Sequence, residues 1–266
     1  MNDSYIEYVD SDYRVSGTSS NFIYKIDLPR NFNRCAVVSA SIPKTWYLVQ
    51  AGYNTFTVTE ASGTRTITIP VGDYNINTYR TTLLALLNVS TYTYDVSISS
   101  LTTKLTYTVS GNSGYQPTFT FPNTSVLYRL MGFEFNDTVQ FTANTLVSDN
   151  IPFYQHTNVI FIRSNLQSSE SSSLSGDILQ QITAIANSQL SAITYNAVDI
   201  VKQSKPFRTG ASVFNFRITD ADGFPLDLNG IPVNFEIVFY NVDNTNEILK
   251  GKAFLDNLEA LKSGRV

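Results

Sequence analysis

The stretch Phe22-Ile23-Tyr24-Lys25-Ile26-Asp27-Leu28 places Phe22, Tyr24, Ile26 and Leu28 on one side of an extended chain, and Pro29 ends the run. A period of two is the pattern of a half-buried strand. Cys35 to Ile42 reads as a second strand, closed by Pro43. The rhythm returns in the second half of the chain, at Thr138 to Leu146, Asn158 to Arg163, Asp177 to Ala184, Ile193 to Val201, Val213 to Thr219 and Val233 to Tyr240. Two strands before and six after make eight, and eight antiparallel strands folded as a double sheet form a jelly roll. The expected fold is therefore mostly β, a single eight-stranded antiparallel jelly roll.

The residues between the second and third of these strands read differently. Asn54 to Thr59 and Thr64 to Ile69 flank Glu60-Ala61-Ser62-Gly63 as the arms of a hairpin. A helix is expected from Asn77 or Thr78, either of which can cap it, to Leu87, with Tyr79, Leu83, Leu84 and Leu87 at helical spacing. Strands follow at Tyr92 to Ile98, Lys104 to Val109 and Thr118 to Phe121, then a helical turn from Ser125 to Met131 that stops at Gly132. The expected organisation is an N-terminal arm at 1–20, a jelly-roll domain at 21–52 and 134–242, a small inserted α+β module at 53–133, and a C-terminal amphipathic helix or tail at 243–266. The arm alternates Tyr5, Tyr8 and Tyr13 with Asp and Ser and shows no clear core face. The tail carries Ile248, Leu249, Phe254, Leu255, Leu258 and Leu261. Both are candidates for partner contact, through Tyr5, Tyr8, Tyr13, Phe254, Leu255, Leu258 and Leu261.

Composition narrows the function. Charged residues are 15% of the 266, against a typical ~25%, while Phe and Tyr number 17 and 16 and the formal net charge is -4. Ser and Thr supply about a fifth of the chain. One Cys rules out an internal disulfide framework and a Cys-based zinc site, and one His rules out a two-His metal site. No apolar run reaches the length of a membrane-spanning helix, Met1-Asn2-Asp3-Ser4 lacks the regions of a secretion signal, and no Lys/Arg cluster offers a nucleic-acid surface. The expectation is no catalytic residue, no cofactor and no metal. Low charge also fits a surface reserved for protein neighbours, because interface centres are depleted in charge.

Individual motifs add little chemistry. Asp220-Ala221-Asp222-Gly223 with Asp227 has the carboxylates of a calcium loop without its closing acidic residue, so it reads as a turn. Gly111-Asn112-Ser113-Gly114 lacks the helix and Lys of a phosphate loop and reads as a turn as well. His156 reads as a loop residue and Cys35 as a buried thiol. Trp46, Tyr47 and Tyr53 either stack on a sugar ring or pack a corner of the fold.

Several stretches, taken in order, resemble the penton or minor capsid proteins of virophages and polinton-like viruses. They are the run from Phe32 to Tyr47 through Pro43 to the aromatic pair Trp46-Tyr47, and Thr68-Ile69-Pro70-Val71-Gly72-Asp73-Tyr74 leading into Leu83 to Asn88. Leu130-Met131-Gly132-Phe133 and Val159 to Leu166 follow. The last runs from Phe216-Arg217-Ile218-Thr219-Asp220 through Leu226 to Gly230 and on to Phe235 to Tyr240. The resemblance implies a single jelly-roll protein of the fivefold vertex, a homopentamer set among major capsid proteins of double jelly-roll type. It implies a virion protein made in the host-cell cytoplasm, without an active site. The alternative is a lectin-like attachment module that binds a host glycan or receptor. Neither reading involves direct contact with nucleic acid.

Overall fold

The computed structural model describes residues 4–166, 177–184, 191–207 and 210–242. The chain divides into two compact units, Met1–Thr45 with Thr157–Val266, and Trp46–His156. Along the chain, the first unit contributes β1 (Ser4–Asp10), β2 (Ser16–Gly17), β3 (Asn21–Lys25) and β4 (Arg34–Pro43). The second unit follows with β5 (Thr55–Glu60), β6 (Gly63–Thr68), α1 (Ile76–Leu87), β7 (Thr93–Ile98), β8 (Leu105–Ser110), β9 (Thr118–Thr120), α2 (Leu127–Met131), β10 (Thr138–Gln140) and β11 (Thr145–Val147). The first unit then resumes with β12 (Val159–Ser164), β13 (Ile178–Thr183), β14 (Ala192–Asn196), α3 (Ile200–Gln203), β15 (Lys205–Pro206), β16 (Val213–Thr219) and β17 (Asn234–Tyr240). The chain is mostly β, with antiparallel sheets and a few short helices.

In the first unit one sheet runs β1-β17-β4-β14, with β15 also on β4, and the other runs β13-β12-β16-β3-β2. Alternation decides which side chains meet between them. Phe235, Ile237 and Phe239 of β17 point inward together with Cys35 and Val37 of β4, and Phe22, Phe214, Phe216 and Ile162 are buried from the other sheet. The ring of Phe216 meets Phe235 edge-on at 5.2 Å, and Phe207 meets Phe239 at 5.0 Å. Each such buried side chain favours the folded state by about 1.5–3 kcal/mol, so these inner faces hold the sheets together. A bulge between Glu236 and Ile237 shifts the register of β17 on β4.

The N-terminal segment corrects the first expectation. Ser4–Asp10 is a strand in register with β17 from Ser4↔Tyr240 to Asp10↔Asn234, and Val9 is buried. It orders against its own chain. Thr138 to Leu146 corrects the second. Ala143 and Asn144 both take left-handed φ values, of 48° and 65°, and Thr142 bonds back to Thr145 across them. The run therefore breaks into β10 on β9 and β11 on β8, both within the second unit. The strand expected from Ile193 to Val201 stops at Asn196, because Asp199 caps α3 by accepting from the Lys202 N–H at 3.1 Å. The C-terminal segment 243–266 lies outside the described residues.

The second unit has a four-stranded sheet, β10-β9-β5-β6, a three-stranded sheet, β11-β8-β7, and helix α1. Its core is aromatic: Phe56 stacks on Phe121 at 5.6 Å, and Phe119 meets Phe141 edge-on at 5.2 Å. Helix α1 starts one turn-entry earlier than the sequence suggests. Asn75 is the cap, accepting from Asn77 N–H at 2.9 Å and Thr78 N–H at 3.0 Å, while the Thr78 hydroxyl accepts from the Asn75 N–H. At its other end, Arg65 donates to the carbonyls of Leu86 and Leu87 at 2.9 and 2.6 Å, satisfying acceptors that the helix leaves open. Arg65 also donates to Glu60 at 3.1 Å, and that carboxylate takes the Tyr94 hydroxyl at 2.8 Å and the Ser90 hydroxyl at 3.1 Å. Burial, followed by the bond to Glu60, pushes the Tyr94 phenol well above its ordinary range. Gly132 ends α2 with φ 78°, as the left-handed stop expected there.

Candidate functional site

The first unit presents a broad outer sheet face built from β1, β17, β4 and β14. Pairing fixes its rows. Ile6 lies across from Val238 and then Ala36, Tyr8 from Glu236 and then Ser39, and Asp10 from Asn234 and then Ser41. Thr194 and Asn196 of β14 continue the last two rows, opposite Ser41 and Ser39. The face is thereby divided. Its part nearest the end of β17 is apolar, with Ala36, Val238 and Tyr240 buried in a cluster joined by Val38, Ile200 and Val242. Its other part is a shallow groove of about 560 Å³ whose floor includes Ser39, Ser41 and Thr194 and whose side carries Tyr8, Tyr13 and Glu236.

Small polar residues on the floor explain the groove: Ser and Thr leave the pleat low, and Tyr8 and Tyr13 stand above it, 67% and 78% exposed. Such rings bring large contact area at low entropic cost, which suits them to interfaces. The three tyrosines of the N-terminal segment divide accordingly. Tyr8 and Tyr13 border the groove, whereas Tyr5 lies on the opposite side of β1, with its ring 6.5 Å from Phe239 and its hydroxyl on Glu7 at 2.9 Å. That bond to Glu7, more than burial, raises the Tyr5 phenol. Phe254, Leu255, Leu258 and Leu261 lie outside the described residues.

The other sequence-derived residues fall in the second unit. Trp46 is 3% exposed and meets His156 edge-on at 6.4 Å, while Tyr47 is 40% exposed. Of this pair, only Tyr47 has a ring open to solvent. His156 Nε2 stands 3.2 Å from Asp73 Oδ1, an oxygen that also accepts from the Leu48 N–H at 2.8 Å. This histidine is built into a corner of the unit. Tyr53 is half-buried.

The remaining motifs are spent on structure. Asp220 Oδ1 accepts from the N–H groups of Asp222 and Phe224 at 3.0 and 2.9 Å, and Gly223 has φ 88°, so the Asp-Gly sequence forms a turn. Cys35 is fully buried, which pushes its thiol up to about 12 and keeps it protonated. Among the described residues, no three His, Cys, Asp or Glu stand together as a metal site, and no helix is long and apolar enough to cross a membrane.

Ser39, Ser41, Thr194 and Glu236 were not singled out by sequence reasoning. Each occupies the polar side of an alternating strand, and only the pairing of four strands places them side by side. The one local signal is Ser39-Ala40-Ser41, a pair of small hydroxyl residues facing away from the core.

No protein-family model and no curated protein matches the chain. Among solved structures, the crystal structure of the mavirus penton protein is similar to it. The identity is 16%, the TM-score is 0.40, and the match covers 89% of this chain and 98% of that one. At such an identity and score the likeness assigns a role to no residue.

Proposed function

We propose that this chain is a structural subunit of an icosahedral capsid, built as a single jelly roll with an inserted unit and placed at the fivefold vertex as a homopentamer. The observation that carries this reading is the strand order of the first unit. In a jelly roll the first strand lies beside the last, and successive strands pass from one sheet to the other at every connection but the middle one, from the fourth strand to the fifth. With β1, β3, β4, β12, β13, β14, β16 and β17 as the eight strands, the orders β1-β17-β4-β14 and β3-β16-β12-β13 have that interleaving. The second unit then occupies the connection between the third and fourth strands. The ordered resemblance to penton proteins and the low charge of the chain support the same reading.

A ring of five is a heterologous assembly closed by cyclic symmetry, with one flank of each subunit mating to a different flank of the next. Major capsid proteins of double jelly-roll type would surround it in the virion. Light-scattering mass and negative-stain imaging of the purified protein test the ring. A five-fold ring of about five times the 29.6 kDa chain mass is expected, and a monomer at micromolar concentration would overturn it.

The attachment reading retains one specific observation, the open ring of Tyr47 in the second unit. Saturable binding on a glycan array that is lost with Tyr47→Ala, but not with Tyr13→Ala, is the result expected of that reading. An array without binding removes it.

A further inference from the structure

We propose that the groove on the outer face of the β1-β17-β4-β14 sheet binds an extended segment of another protein with two arginines in Arg-x-Arg spacing, one guanidinium on Glu236 and the other on Asp10. Strand pairing sets the two carboxylates in adjacent rows, Glu236 between Tyr8 and Ser39, and Asp10 beside Asn234. No residue lining the groove is Lys or Arg. Glu236 is half-buried and forms no hydrogen bond or ion pair among the described residues. Asp10 accepts from the Asp12 N–H through Oδ1 at 2.9 Å, and its Oδ2 takes no such bond. Two neighbouring carboxylates without a counter-charge repel each other, and the field between them attracts cations.

Geometry fixes the spacing of those cations. Asp10 pairs with Asn234, so Glu236 stands two residues along the neighbouring strand, and the two carboxylate-bearing Cα atoms are about 7–8 Å apart. Along an extended peptide, side chains on one face recur every second residue, about 6.8 Å apart. Arginines at i and i+2 therefore reach both carboxylates, whereas adjacent arginines point to opposite faces.

The neighbours of the carboxylates select the rest. Tyr8 lies directly across from Glu236 and its ring is exposed, so a guanidinium on Glu236 can stack on that ring while its planar fork grips the carboxylate. A lysine ammonium has no plane to stack and no fork. On the floor, the hydroxyls of Ser39, Ser41 and Thr194 both donate and accept, which suits the N–H and C=O groups of an extended backbone. A neutral saccharide could use those hydroxyls too, but it would leave both carboxylates without a counter-charge.

Fluorescence anisotropy with the full chain and a labelled peptide Ser-Arg-Ser-Arg-Ser at low ionic strength tests the site. Saturable binding is expected, weakened about tenfold by Glu236→Gln and by Asp10→Asn, whose amide oxygen can still accept from Asp12. Asp149→Asn, which removes an exposed carboxylate of the second unit, should leave the affinity unchanged. The peptide Ser-Arg-Arg-Ser-Ser carries the same charge at the wrong spacing and should bind about tenfold more weakly, as should Ser-Lys-Ser-Lys-Ser. Equal affinity for the two arginine peptides, or for the wild type and Glu236→Gln, would overturn the proposal by leaving only non-specific charge attraction. So would three other results: neutral oligosaccharides binding where the arginine peptide does not, a groove filled by a second copy of the chain in concentrated protein, or peptide binding seen only with a chain ending at residue 245.

Discussion

Replacing Glu60 tests how the second unit holds its helix to its sheet. The Glu60 side chain is 2% exposed and accepts three hydrogen bonds on one oxygen, from Arg65, Tyr94 and Ser90. Glu60→Ala leaves the Arg65 guanidinium without its counter-charge and the Tyr94 hydroxyl without its acceptor. Removing one partner of a buried pair costs about 3–5 kcal/mol. Arg65 keeps the Leu86 and Leu87 carbonyls, and its side chain is 23% exposed, so solvent screens part of the loss. The expected cost is thus at the low end, about 3 kcal/mol. For a unit of this size each kcal/mol lowers the midpoint by about 4 °C, so the second unit should melt about 12 °C lower. Glu60→Gln keeps an acceptor oxygen in place and loses only the charge, so about 1–2 kcal/mol is expected. Calorimetry or near-ultraviolet circular dichroism, which reads the aromatic core, measures both. If Glu60→Gln proves as damaging as Glu60→Ala, or if Glu60→Ala costs under about 1 kcal/mol, charge pairing is not what stabilises this corner.

Three further outcomes are expected. Gly132→Ala would place a Cβ 2.5 Å from the Asn150 carbonyl oxygen at φ 78°, whereas Gly114→Ala, at φ 86°, meets no atom within 4 Å. In urea titrations the first should lose well over 2 kcal/mol and the second about 1 kcal/mol. Asn75→Ala removes the cap of α1 and should cost about 1 kcal/mol, most of it restored by Asn75→Asp or Asn75→Ser. Deleting residues 1–10 removes β1 and uncovers the edge of β17, so the first unit should lose cooperative unfolding or aggregate while the second keeps its melting transition.

Local pattern specifies structure where alternation and burial coincide. Val213–Thr219 is a strand over the same residues that its pattern indicates, because Phe214, Phe216 and Ile218 face one core and their neighbours do not. Gly132 was legible for a similar reason, since the left-handed position it fills is set by its own residue type. The cap of α1 was legible in hindsight as Asn75-x-x-Thr78, a reciprocal pair two residues upstream of the expected start. The break at Ala143-Asn144 is marked only in part, because Asn144 is of a type that tolerates positive φ whereas Ala143 carries no such signal.

The N-terminal segment shows where local reading stops. Tyr5, Ile6, Tyr8 and Val9 offer apolar atoms on both faces of the strand, so no pattern marks an inside. Its place is decided by the open edge of β17, more than two hundred residues away. The same holds for the groove: Ser39, Thr194 and Glu236 are ordinary polar positions until pairing sets them in one surface.

From the sequence alone came the β class, the antiparallel habit, the helix and hairpin of the second unit, and the poverty in charge and in groups able to do chemistry. Each of these is a property of periodicity or composition, expressed within a few residues or summed over the whole chain. Tertiary structure alone decided which strands share the first unit, by admitting Ser4–Asp10 and sending Thr138 to Leu146 elsewhere. Strand pairing is a contest between edges, and its outcome depends on partners distant in sequence rather than on the strand itself.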